Sequence, residues 1–183
     1  MDSGIKQKIE EILKEYPIYQ YGFLKTEQVE WKEEVRRTCS QECDRYGKSW
    51  SCPPGVGTVE VCRNRCMKFS DVMVFSTLAE VTDASDLKET LDTRKEHEEV
   101  VYAIRGQMQE AGEMPLALSS ESCAICQDCS YPAAPCRYPD KMLPCIESYG
   151  ILVISAIEKL GMDFFYDSGT ILWFGMIIFH RRK

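Results

Sequence analysis

The apolar positions of "SGIKQKIEEILKEYP" recur at helical spacing. Ile5, Ile9, Ile12 and Leu13 fall at i, i+4, i+7 and i+8, one face of an amphipathic helix that Asp2 or Ser3 can cap and that Pro17 stops. "IYQYGFL" at 18–24 and "DVMVFST" at 71–77 are short runs of β-branched and aromatic residues and predict strands. From Asp86 to about Ala111 the chain is charged and helical, with Asp86 and Glu89 as a capping box and Gly112 past the end. Its apolar stripe (Leu87, Leu91, Val101, Ile104, Met108) is partial and predicts a surface-lying helix. "MPLALSS" at 114–120 predicts another strand, and "YGILVISAIEKLG" a buried helix ending at Gly161. "DFFY", the turn "DSG" and "ILWFGMIIF" predict a closing hairpin. Strands alternating with helices predict an α+β fold: one compact domain over residues 1–183, a mixed β-sheet covered by helices.

Ten cysteines among 183 residues change this picture, because packing alone does not require them. The N-terminus has no basic stretch followed by an apolar one, so no signal peptide is expected. "ILWFGMIIF" is too short to cross a bilayer as a helix, and no membrane association is expected. These features predict a cytoplasmic protein, where thiols stay reduced and dense cysteine patterns mean metal or redox chemistry more often than disulfides. The net charge of −7 repels phosphate backbones and argues against nucleic acid as a partner. Arg36-Arg37, Arg63, Arg65 and the tail Arg181-Arg182-Lys183 are expected to be solvated surface.

The cysteines fall in two segments, 38–67 and 121–146, each predicted to be a metal-binding loop. In "CAICQDCSYPAAPC", Cys123, Cys126 and Cys129 form C-x2-C-x2-C and Cys136 follows beside Pro135. Three thiolates at three-residue steps let a short loop curl around a cubane and reach three of its irons, with a fourth ligand from farther along. Cys136 and Cys145, each preceded by proline, are both candidates for that fourth ligand. Zinc is the competing metal, although its sites more often pair two well-separated knuckles. Upstream, "CSQECDRYGKSWSCPPGVGTVEVCRNRC" holds Cys39, Cys43 and Cys52, with Cys62 or Cys66, one helical turn apart, closing a second site. Tyr46 and Trp50 are expected to be packing groups shielding it.

Other motifs carry little. Gly55-Val56-Gly57 lacks the context and lysine of a phosphate loop and reads as a turn. His97, among charged neighbours, and His180 are expected to be solvated. Nothing in the spacing of Glu147, Asp163 or Asp167 singles one out as a catalytic acid, and "SSES" at 119–122 lacks the glycines of a nucleophile elbow.

"YGKSWSCPP", "CAICQDCSYPAAPCRYPDKMLPCIESYGI" and the closing "ILWFGMIIF" together resemble domain-of-unknown-function family 2284. The resemblance runs from about "VRRTCSQEC" to the last strand and implies metal binding through Cys39, Cys43 and Cys52 and through Cys123, Cys126, Cys129 and Cys136. The family pattern implies serine after "RYPDKMLP", where this chain has Cys145.

These readings predict a protein holding one 4Fe–4S cluster, with a second possible, that serves as a redox or electron-transfer module for a partner enzyme. A non-catalytic zinc- or iron-binding or sensing protein is the alternative, and an enzyme with an open iron site is the third reading.

Overall fold

The computed structural model of the chain describes residues 3–180, so Asp2 and the basic tail 181–183 fall outside the described residues, as do the side chains of Ser3 and Ile5. Five helices and one four-stranded sheet are described: α1 (Ser3–Leu13), β1 (Gln20–Lys25), α2 (Glu33–Glu42), α3 (Val59–Cys66), β2 (Asp71–Glu80), α4 (Leu87–Glu110), β3 (Leu116–Leu118), α5 (Val153–Leu160) and β4 (Thr170–Phe179). The strand order is β1-β2-β4-β3. The fold is α+β, as the sequence predicts.

Every strand pairing in the sheet is antiparallel, which corrects the expectation of a mixed sheet. Successive elements do alternate, and β2 and β3, joined through α4, run in the same direction, but β4 lies antiparallel between them, so no parallel pair forms. The closing hairpin does not form either. β4 runs between β2 and β3, while Phe164, Phe165 and Tyr166 of "DFFY" stand exposed with no strand pairing.

Helices cover both faces of β2 and β4. Val72, Val74, Phe174, Met176 and Ile178 join one core with Leu118, Ala156 and Ile157. Met73, Phe75, Ile177 and Phe179 join the other with Ile9, Leu13, Val101, Ile104 and Met108. A strand buried on both sides shows a continuous apolar run instead of alternation, as in "ILWFGMIIF". The two central strands approach closely at Gly175, opposite Phe75, where an added Cβ would come within 2.5 Å of the Phe75 ring.

α4 is anchored more deeply than its charge suggests. Val100, Val101, Ile104 and Met108 are buried, and so are His97 and Glu98, while Leu87 is 69% exposed. His97 is thus not solvated: its Nδ1 lies 2.8 Å from Thr77 Oγ1 on β2. The capping box is half made. Asp86 Oδ1 accepts from the N–H groups of Lys88 and Glu89, but the Glu89 carboxylate turns back to the N–H groups of Thr82 and Asp83.

Candidate metal centres

The upstream centre is assembled by a clamp remote from it in sequence. The chain entering α2 is tied to residues 150–152: Lys32 N–H donates to Gly150 O (2.7 Å), Leu152 N–H donates to Glu30 O (2.9 Å), and Trp31 bridges Ile151. α2 thereby lies against the turn 147–149, which follows Cys145. Cys145 itself is held by a parallel bridge to Ser119, just beyond β3, with Ile146 N–H donating to Ser119 O (2.8 Å). Cys39 and Cys43 are one turn apart at the end of α2 and project from the same side. Cys39, Cys43, Cys52 and Cys145 line one cavity of about 420 Å³, which Tyr46, Glu121 and Glu147 also border.

The downstream centre is a loop with almost no regular structure. Cys123, Cys126, Cys129 and Cys136 line one small cavity of about 20 Å³ together with Ser49, Trp50 and Ser51. The loop is tied internally by Ser130 Oγ–H to Pro135 O (2.7 Å) and by Arg137 to Asp128 O (2.7 Å). The turn 49–51 locks it to the rest of the protein. Trp50 Nε1–H donates to Ala134 O (3.0 Å), its ring meets Tyr131 edge-on at 4.9 Å, and Cys123 N–H donates to Ser51 Oγ (3.0 Å). Trp50 therefore packs on the downstream loop, whereas Tyr46 borders the upstream cavity. Gly55 permits this approach, because a Cβ there would lie 2.8 Å from Ser49 O and 2.9 Å from the Tyr131 ring.

The ten candidate ligands thus divide into two groups of four and a pair left over. Cys145 joins the upstream group and not the downstream run beside it in sequence, which leaves Cys136 as the fourth downstream thiol. Cys62 and Cys66 do not close the upstream group. Both are fully buried on the inner face of α3, in the core with Val56, Tyr149 and Ile151. Cys62 lies under Arg36, which is half-buried instead of solvated and donates to Gly57 O (2.7 Å) and Cys62 Sγ (3.5 Å). All ten thiols are free, and among the described residues no three His, Cys, Asp or Glu side chains converge on a single-ion position.

Electrostatics separates the groups. Burial pushes the Cys39, Cys52 and Cys145 thiols up, and neighbouring negative groups push further: Cys43, Glu147 and Cys52 on Cys39, Cys43 on Cys52, Glu147 and Cys52 on Cys145. Thiols that raise one another in this way ionise together only when a cationic centre offsets their repulsion. Cys66, deep in the core, is pushed by burial to about 12 and behaves as a small hydrophobe. At Cys129 burial also acts upward, but hydrogen bonds from the backbone of Tyr131 and Trp50, from Ser49, and the charge of Arg137 outweigh it and hold the thiol below its ordinary value. These donors favour the ionised form of Cys129, the opposite of what burial does to the upstream thiols.

Glu147, one of three acidic residues whose spacing did not distinguish them, is placed by the structure beside the upstream group. Its Oε2 lies 3.4 Å from Cys145 Sγ, and burial raises its carboxyl to about 7. Its position two residues after a cysteine is the only sequence signal that marks it.

Two four-cysteine groups on an antiparallel α+β scaffold are a donor arrangement of the kind metal-binding proteins use. The chain is a member of domain-of-unknown-function family 2284, described as predicted metal-binding proteins, whose family model matches residues 22–179. That span includes all ten cysteines. No curated protein and no solved structure matches the chain. No described helix is long and apolar enough to cross a membrane.

Proposed function

We propose that the protein is an iron–sulfur electron carrier with two cubane centres, one on Cys39, Cys43, Cys52 and Cys145 and one on Cys123, Cys126, Cys129 and Cys136. The observation that carries this reading is the division of eight thiols into two groups of four on either side of the turn 49–52. Thiolate-only donor sets suit soft metal centres, and the triple three-residue step of the downstream loop suits a cubane. When bound, such clusters supply one-electron couples. The chain's own residues position the thiols, exclude water with Trp50 and Tyr131, and donate hydrogen bonds to sulfur, which tunes potential.

A redox partner protein takes or supplies the electron. The downstream group faces it in this reading, because all four of its thiols are partly exposed and Ile125 and Tyr138 beside them are exposed. The protein is read as cytoplasmic, consistent with ten free thiols.

A second reading, zinc on the downstream thiols, is favoured by the tightness of that cavity, which offers about the room of one water molecule. Anaerobic purification with iron, sulfide and zinc analysis decides between them. Two cubanes give about eight irons and eight sulfides per chain and a broad absorbance near ~400 nm. Colourless protein with stoichiometric zinc that refuses anaerobic iron–sulfide reconstitution would overturn the iron–sulfur reading.

A further inference from the structure

Two faces of α2 border two different spaces. Val35, Thr38, Cys39 and Glu42 line the upstream thiol cavity, while Glu33, Arg36, Arg37 and Ser40 line a second cleft of about 520 Å³. The two sets are offset by two residues, about 200° around a helix, so they lie on opposite sides of it. Tyr46 and Pro53 border both spaces, which therefore share a wall.

The second cleft gathers cations in a chain whose net charge is −7. Arg36 is fixed there without a carboxylate. Its guanidinium donates to Gly57 O (2.7 Å) and Cys62 Sγ (3.5 Å), and its buried Nε–H finds no acceptor among the described residues. Arg65 is tied in the same way to Val56 O (2.8 Å), and a Cβ on Gly57 would lie 3.8 Å from its Nη2. These neutral acceptors hold the guanidinium groups in place but cancel no charge. Arg37 is exposed and pairs with no carboxylate among the described residues. Glu33, one turn earlier, borders the same cleft and is not paired with it. Thr58 adds a hydroxyl: its Oγ1 accepts from Val61 N–H (3.2 Å), which leaves its own proton for another acceptor.

We propose that this cleft binds a small organic oxyanion, a molecule with a carboxylate or phosphate group and an apolar body. Arg36, Arg37 and Thr58 hold the anionic group, and Tyr46 and Pro53 support the body. Guanidinium groups match the oxygens of carboxylate and phosphate with paired donors. The volume falls in the range of small-molecule sites and exceeds what a bare inorganic ion fills. Tyr46, 41% exposed, offers ring surface that a bare ion would leave uncovered. The site is separate from the thiol groups and does not depend on which metal they hold. Its occupant lies across α2 from the upstream group, against the wall the two spaces share.

The test is isothermal titration calorimetry of the full, anaerobically purified chain with phenyl phosphate, benzoate and inorganic phosphate. At least one of the two organic probes should bind at a single saturable site, and the tighter of them identifies the oxyanion. Inorganic phosphate, which has no apolar body, should bind more weakly, and affinity should fall as salt is raised. Arg37→Gln should weaken binding by at least about tenfold, the loss expected for a charge-assisted hydrogen bond, and Arg37→Lys should recover part of it. Glu33→Gln should tighten binding, because it removes the negative charge at the cleft. Both positions are exposed, so these variants keep the fold. Lys32→Gln removes the same charge as Arg37→Gln from a residue outside the cleft and should leave affinity unchanged. Absence of saturable binding by both organic probes overturns the proposal. So does inorganic phosphate binding as tightly as phenyl phosphate, or Lys32→Gln weakening binding as much as Arg37→Gln.

Discussion

Cys145 faces Cys39 across a single cavity, although Cys136 is its nearest cysteine in sequence. The relationship predicts two groups of substitutions with separate effects. Cys145→Ser should remove the upstream centre and leave the downstream one spectroscopically intact, as Cys39→Ser/Cys43→Ser should. Cys136→Ser should do the reverse. Metal content per chain, with the resonance of the remaining centre, is the measurement. Equal partial losses at 136 and 145 would mean that both thiols serve the same site.

Sequence spacing grouped Cys123, Cys126 and Cys129 because their geometry is local: a loop with cysteines at three-residue steps has little freedom in where the thiols go. It left the fourth thiol open between Cys136 and Cys145. The upstream group depends on two bridges, Trp31 to Ile151 and Ser119 to Cys145, that join segments far apart in the chain. No local period encodes those. The periodicity of α1 and the end signals of α4 and α5 were legible for the same local reason. β4 was read correctly as a strand but given the wrong partner, because a continuous apolar run buried on both faces does not say which strands flank it. His97 was hidden by charge: its neighbours in "TRKEHEEV" suggested a solvated helix, yet one face of α4 packs on the sheet.

Cys62 and Cys66 should behave as core residues. Cys62→Ala and Cys66→Ala should leave metal content unchanged and each cost about 1–2 kcal/mol of stability through the cavity left behind. Cys66→Ser should cost more, since its hydroxyl would be buried where the thiol is now wholly enclosed by apolar groups. Chemical denaturation of metal-loaded protein, beside metal analysis of each variant, tests this. Loss of metal in either alanine variant would place these thiols among the ligands after all.

His97 should make stability depend on pH. Burial lowers its folded pKa to about 4, with the Phe174 carbonyl pulling weakly the other way, against an unperturbed value of about 6.5. The unfolded chain therefore binds the proton first as pH falls. Stability is fully present above about pH 6.5 and is lost progressively toward pH 4. Between pH 7 and pH 5 the loss is about 2 kcal/mol by linkage. Glu98, raised by burial and by Glu121 against Arg94, acts in the opposite direction. The informative quantity is thus the difference between the unmodified chain and His97→Gln, which should have the flatter pH profile. Parallel profiles would remove His97 as the cause.

Gly55 should be a position outside the cysteines where a single methyl group disturbs both centres. Its Cβ would lie 2.8 Å from the Ser49 carbonyl oxygen, which is backbone and does not move without carrying Ser49 and Ser51 with it. The same Cβ would press on Tyr131, whose ring Trp50 meets edge-on. Ser49, Trp50 and Ser51 line the downstream cavity, while Cys52 and Pro53, immediately after them, line the upstream one. Gly55→Ala therefore forces the 49–53 turn away from the loop 123–136. Overpacking of this kind costs about 1–3 kcal/mol. The variant should lose metal from both groups more readily under a chelator, in contrast to the ligand substitutions, each of which empties one. Gly47→Ala is the control: its positive φ of 69° also strains an alanine, but nothing lies within 4 Å of an added Cβ there. It should lower stability without changing metal retention. If Gly55→Ala keeps both centres at unmodified chelator resistance, the turn is not what holds the two loops together.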